Sequence, residues 1–104
     1  MDSPAISVLM PVFNGSEHLS AAIRSVLRQS FPDFELLILD DGSSEPIQDI
    51  VAGFEDDRIT FWRRENRGLG ATLNELAGRA RAPILARIDA DDICEPSRFA
   101  DQYA

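Results

Sequence analysis

The feature that most constrains this chain is a repeated alternation of short apolar runs with helix-period segments. "ISVLMPVF" (Ile6 to Phe13), "FELLILD" (Phe34 to Asp40), "ITFWR" (Ile59 to Arg63) and "PILARI" (Pro83 to Ile88) have strand length and read as buried strands. After "NGS" a helix is expected from about Glu17, capped by Ser16, with Leu19, Ala22, Ile23, Val26 and Leu27 at helical spacing until "SFPD" ends it. After "DGSSEP", Ser44 is placed to cap a helix with Glu45 and Pro46 in its first turn, burying Ile47, Ile50, Val51 and Phe54. After "ENRGLG", a stripe of Leu69, Leu73, Leu76 and Ala80 marks a third helix, and "PSRFADQYA" (Pro96 to Ala104) starts a fourth.

Strand-then-helix units without hairpin turns imply parallel strands joined by right-handed crossovers. The expected fold is therefore α/β and Rossmann-like, a parallel sheet of about four strands with helices on both faces. Ligands of such sheets bind beyond the carboxyl ends of the strands. The residues least suited to a core collect there: Phe13-Asn14-Gly15, Asp40 to Ser43, Arg63 to Gly70, and Asp89 to Asp92.

At 104 residues the expectation is one domain, 1–104, short for an enzyme with two substrate sites. The last helix stops about two turns in, so the chain looks cut at its C-terminus. Eighteen acidic against ten basic side chains give a formal net charge of -8, which argues against nucleic acid or anionic lipid as a partner. All ten basic residues are Arg, so chemistry built on Lys is excluded and any phosphate clamp needs Arg or backbone amides. The single Cys94 forms no internal disulfide and reads as a small packing residue, consistent with a cytoplasmic chain. The run from Ile6 to Phe13 is neither a signal peptide nor a membrane span.

"RIDADDICEP" puts three carboxylates within four residues directly after a buried strand, where like charges repel. Asp89, Asp91 and Asp92 supply hard oxygen ligands with no His or Cys set beside them, so Mg²⁺ or Mn²⁺ fits better than zinc. An EF-hand is a poor reading, since the Gly at the sixth position and the late Glu are missing. The bland alternative is a solvated acidic loop. Asp41 is placed to accept from a nucleobase N–H or a ribose hydroxyl, while Asp40 reads as structural in a turn that also caps the next helix. Phe13 offers a face for stacking on a base, though a Phe there is more often core. Arg63, Arg64 and Arg67 beside Gly68 and Gly70 suit a diphosphate, and Arg87 is a further candidate. His18 receives no role.

Taken together, "SVLMPVFNGSEHLSAAIRSVLRQSFPDFELLILDDGS", "ENRGLGATLN" and "ARIDADDICEPSRF" resemble the inverting glycosyltransferases of family 2, in the nucleotide-sugar-binding part of their GT-A domain. The resemblance runs from Ile6 to about Gln102 and rests on four motifs in order. It implies that Pro11, Val12, Phe13 and Asn14 form the first nucleotide-binding loop, with Phe13 packing on uracil and Glu17 matching an acid frequent there. It implies that Asp41 accepts from the uracil N3–H and that Arg67 and Asn74 lie near the diphosphate and sugar. Asp89-Ala90-Asp91 matches the D-x-D motif, the first acid and Ala90 near the ribose and Asp91 on the metal, with Asp92 sharing that role. The implied cofactor is Mn²⁺ or Mg²⁺, the donor a nucleotide-diphosphate sugar (a UDP-sugar foremost), and the setting polysaccharide synthesis, in the cytoplasm or at the cytoplasmic membrane face. The acceptor is unknown: saccharide, lipid-linked glycan or protein. The family's general base lies well downstream of D-x-D, so none is assigned here and the chain alone is expected to transfer no sugar.

Two other classes compete. A receiver-like phosphoacceptor domain also gathers acids at strand ends around Mg²⁺, but needs a Lys that this chain lacks. A non-catalytic nucleotide-binding or assembly module is the other, and apolar surface at its sheet edge is expected to favour self-association.

Overall fold

Each of the four apolar runs forms a strand. The computed structural model describes residues 3–103; of the expected 1–104 domain, residues 1, 2 and 104 lie outside the described residues. The elements are β1 (Ile6–Val12), α1 (Ser16–Leu27), β2 (Phe34–Asp41), α2 (Ile47–Ala52), β3 (Ile59–Arg64), α3 (Leu69–Arg79), β4 (Ile84–Arg87) and α4 (Arg98–Tyr103). The sheet has the order β3-β2-β1-β4, and every ladder is parallel.

Side-chain alternation sorts the core into two layers. Val8, Met10 and Val12 of β1 and Leu36 and Ile38 of β2 face α1, α2 and α4, packing with Leu19, Ile23, Ile47 and Phe99. Leu9, Leu37 and Leu39 point the other way, onto Leu76 of α3 and Trp62. Helices thus cover both faces, as the continuous apolar runs require. The two central strands are buried at every residue, whereas β3 and β4 at the edges are partly open. Full burial of a Leu or Ile contributes about 1.5–3 kcal/mol, so the rigid part of the sheet is β1 with β2.

Polar residues inside these strands have partners. Ser7 Oγ donates to Glu35 Oε2 at 2.6 Å, and Arg81 donates to the same carboxylate through its backbone N (2.9 Å) and Nε (3.0 Å). Ala82 N donates to Ser7 Oγ at 3.0 Å. This buried knot fixes the turn that leads from α3 into β4. Burial pushes the Glu35 carboxyl up, but hydrogen bonds from Ser7 and Arg81 outweigh it and its pKa lies below the ordinary Glu value.

Local signals at the helix starts are resolved differently from the sequence expectation. Gly15, at φ 75°, precedes α1, and Ser16 is the first helical residue rather than the cap. The Glu45 carboxylate reaches across instead and accepts from Ser16 N at 2.8 Å. Ser44 does not cap α2 either, because its Oγ donates to Asn14 Oδ1 (3.3 Å) and Pro46 takes the position before the helix. Within α3 the buried residues are Thr72 and Leu76. Leu69, expected on the core stripe, is 53% exposed at the first turn.

Strand order and one proline open the sheet where a ligand can enter. β2 lies on one side of β1 and β4 on the other, and the crossover from β3 to β4 carries α3 over the face opposite α1. Ile88 N donates to Leu9 O at 3.0 Å, so Leu9 presents its backbone toward β4. Pro11, two residues on, presents its backbone on that same side and has no N–H to offer. The β1–β4 register accordingly stops at Leu9↔Arg87, while β1 and β2 stay paired to Val12↔Asp40.

Candidate nucleotide and metal site

Two cavities open at the carboxyl rim of the sheet. The first, about 220 Å³, is lined by Pro11, Val12, Phe13, Asp41, Asn66, Gly68, Leu69 and Thr72. The second, about 320 Å³, is lined by Pro11, Phe13, Asn14, Gly15, His18, Leu69, Arg87, Asp89, Ala90 and Asp91. Pro11, Phe13 and Leu69 line both, so the cavities that hold Asp41 and Asp91 adjoin on one rim and together form a cleft. Phe13 is 58% exposed, which sets aside the core reading of that ring and leaves a face free for a planar ligand.

The loops after β1 and β2 are stitched together. Asn14, in the left-handed region at φ 58°, donates its N–H to Ser43 Oγ at 2.7 Å and accepts from Ser44 N. Asp40 Oδ1 accepts from Ser43 N at 2.9 Å, the structural turn role expected of it. Gly42 has φ 78°, and a Cβ there would come within 2.6 Å of Asn66 N, so only glycine lets the loops after β2 and β3 pass so closely.

Asp41 is 4% exposed and holds the loop after β3. Its Oδ1 accepts from Arg67 N at 2.8 Å and from Arg64 Nη1; its Oδ2 accepts from Gly68 N at 3.0 Å and from Asn66 Nδ2 at 3.3 Å. Burial pushes this carboxyl up, yet the Arg67 N–H, the Arg64 guanidinium and the Gly68 N–H together hold its pKa below the ordinary Asp value. Arg64, with a side chain 12% exposed, also donates Nε to Glu75 Oε1 (2.7 Å) and Nη2 to Thr72 Oγ1 (3.0 Å).

The arginine cluster expected to clamp a diphosphate is engaged with the chain itself. Arg64 serves Asp41 and Glu75, and Arg63 donates to Ser43 O at 2.7 Å while lying 3.5 Å from Asp40. Neither lines the cleft, because β3 aims both back at its neighbours. Arg67 gives its backbone N–H to Asp41 and points an exposed side chain toward Glu65 at 3.5 Å. Glu17 and Asn74 are exposed and outside both linings, Glu17 beside His18 at 3.3 Å.

After β4, a turn closed by Asp92 N donating to Asp89 O at 3.0 Å gathers the acids. Asp89, Asp91 and Asp92 each present a carboxylate oxygen, all within 4.8 Å of one another. Three hard oxygen donors on a partly open rim suit Mg²⁺ or Mn²⁺, which retain waters and accept further oxygens from a phosphate. Arg87 Nε donates to Asp89 Oδ1 at 2.9 Å, the salt bridge that is the default for an exposed pair.

The cleft therefore joins Pro11, Val12, Phe13, Asn14, Asp41, Asp89, Ala90 and Asp91 among the residues singled out in the sequence. It adds His18, Asn66, Leu69 and Thr72. For His18 the signal was its place one turn after the Gly15 hinge, which directs the start of α1 at the cleft. Leu69 and Thr72 enter from the first turn of α3, which the apolar pattern of the helix does not reveal, and Asn66 from the loop after β3, where its amide donates to Asp41.

The profile of glycosyl transferase family 2 matches residues 7–104. EpsH of Bacillus subtilis, which bears the name of a glycosyltransferase, is 35% identical over 98 residues, covering 92% of this chain and 28% of that protein. WcaA of Escherichia coli, named for colanic acid biosynthesis, is 35% identical over 102 residues, covering 95% and 37%. The chain thus spans about a third of the length of these curated relatives. Among solved structures, Staphylococcus aureus TarS 1-349 in complex with UDP-GlcNAc superposes with a TM-score of 0.86 at 24% identity, covering 92% of this chain and 29% of that one. The mannosyltransferase PcManGT of Pyrobaculum calidifontis, in complex with GDP-Man and Mn²⁺, gives 0.82 at 24% identity, covering 94% and 30%. That likeness is one of fold. Because the family profile spans nearly every residue, including all of those that line the cleft, the chain belongs to glycosyl transferase family 2.

Proposed function

We propose that the cleft binds a nucleotide-diphosphate sugar, a UDP-sugar foremost, together with Mn²⁺ or Mg²⁺, as the donor half of a site that transfers the sugar to an acceptor hydroxyl. The observation that carries this reading is the adjacency of the two cavities, which share Pro11, Phe13 and Leu69. The base lies against Phe13 near Asp41, and the ribose and diphosphate extend past Asn14 and Ala90 to the acids. A base N–H reaches the Asp41 carboxylate by competing with the longest of its four contacts, the Asn66 amide. Asp91, with Asp89 and Asp92, holds the cation, whose charge when bound offsets that of the departing diphosphate. Arg67 and Asn74 remain assigned to the diphosphate and sugar end, and Glu17 to the rim of the first loop, on the family resemblance alone.

Relatives and neighbours supply the support for the donor class: TarS is described with UDP-GlcNAc, and PcManGT with GDP-Man and Mn²⁺. The name of WcaA supports polysaccharide biosynthesis as the setting. No helix among the described residues is long and apolar enough to cross a membrane; we place the chain in the cytoplasm or at the cytoplasmic membrane face on the single cysteine and the family. We further propose one domain over 1–104 and self-association through the open sheet edge.

Calorimetric titration with UDP, GDP and their sugar conjugates, with and without Mn²⁺, tests the reading. Wild-type chain should bind one nucleotide class more tightly with the ion, and Asp91→Asn should lose the ion's contribution. Equal affinity for all nucleotides with and without Mn²⁺ overturns it.

A further inference from the structure

The acidic loop between β4 and α4 has no ladder and no helix of its own, yet three carboxylates stay gathered on it. Its course is held from behind, by α1 and the residues just after it. Cys94 N donates to Ser25 Oγ at 2.9 Å, and Ser25 Oγ donates to Ala22 O at 2.7 Å, so the hydroxyl is used in both directions. Gln29 Nε2 donates to Glu95 O at 2.5 Å and contacts Cys94 Sγ at 2.9 Å, while Gln29 Oε1 accepts from Phe99 N at 3.0 Å. Ser30 N adds a bond to Pro96 O at 2.8 Å.

Ser25 lies in the last turn of α1 and Gln29 two residues past its end, and they are only 3% and 6% exposed. The Gln29 amide meets a backbone carbonyl through its nitrogen and a backbone N–H through its oxygen, so both of its polar atoms are used. Burial pushes the Cys94 thiol up, so it stays neutral beside them. The same helix starts at the cleft with His18. Thus α1 supports both sides of the opening.

We propose that Ser25 and Gln29 are positioning residues of the donor site, holding the loop so that Asp89, Asp91 and Asp92 remain within reach of one cation despite their mutual repulsion. The inference rests on the reading of that rim as cation-binding. Residues that orient the ligands of a metal set its affinity by about ten- to a hundredfold. A role in packing α1 against α4 alone would leave metal binding untouched in any variant that folds.

The test is Mn²⁺ binding to the 104-residue chain, read by the electron paramagnetic resonance signal of free ion, alongside UDP binding in EDTA. Ser25→Ala and Gln29→Met should weaken Mn²⁺ about tenfold or more, with UDP binding in EDTA within about twofold of wild type. Gln29→Glu, which keeps the acceptor for Phe99 N but sets an oxygen against Glu95 O, should fall between. Ser25→Ala removes one hydroxyl and carries the test if Gln29→Met does not fold. Wild-type Mn²⁺ affinity in Ser25→Ala, while Asp91→Asn loses the ion, overturns this inference alone. Equal loss of Mn²⁺ and of UDP in EDTA also overturns it, as a general structural effect. If wild type and Asp91→Asn do not differ, the cation reading fails and this inference with it.

Discussion

Asp41→Asn exchanges a carboxylate that accepts four hydrogen bonds for an amide that can accept with one atom only, and sets Arg64 beside a neutral group. Breaking a buried pair from one side costs about 3–5 kcal/mol, so the unfolding free energy from urea titration should drop by that order, with a lower midpoint. The sign of the pH dependence follows from its pKa. Asp41 and Glu35 both titrate below their ordinary values in the folded chain, so their stabilisation is full above the unfolded values of about 3.9 and 4.3. It is lost as pH falls from there through the lower folded values. Unfolding free energy should therefore decline between about pH 5 and pH 2, and Asp41→Asn should decline less steeply. A parallel slope in the variant would assign the acid sensitivity elsewhere.

Among the elements, the strands were the easiest to read. "FELLILD" and "ISVLMPVF" are buried on both faces, so continuous apolar character identifies them, and their ends are predicted to within a residue or so. Helix starts were misjudged at Ser16 and Ser44 because their partners, Glu45 and Asn14, are distant in sequence. The acids after β4 and the aromatic after β1 were legible from their place at strand ends. What the arginines do was not, since a guanidinium at a strand end looks the same whether it awaits phosphate or, like that of Arg64, holds Asp41. With φ 78° and the Asn66 backbone 2.6 Å from its missing Cβ, Gly42→Ala should destabilise by about 1–3 kcal/mol and weaken nucleotide binding by prying the two loops apart. Chemical denaturation with nucleotide titration checks both, and unchanged values would show that the loops yield freely.

For the molecule as a whole, charge decides what must accompany a diphosphate. At least seven of the ten arginines, at 58, 63, 64, 67, 79, 81 and 87, already pair with a carboxylate. With net charge -8, the chain's field opposes an anionic nucleotide, and an accompanying cation offsets that opposition. Raising NaCl from 50 to 500 mM should therefore weaken Mn²⁺ binding by a factor of about three to ten, while metal-free UDP binding holds or strengthens, because salt screens attraction and repulsion alike. The reverse pattern in calorimetry would mean that positive side chains, not an ion, receive the phosphates.

The imino acid at position 11 gives the cleft a durability that its loops do not share. A neighbouring strand that zipped further along β1 on that side would forgo a ladder bond at the next rung, which has a carbonyl but no hydrogen to offer. Substitutions between Ile88 and Ser97 can thus retune what the gap holds without sealing it, which frees that segment to vary in chemistry while the aperture itself persists.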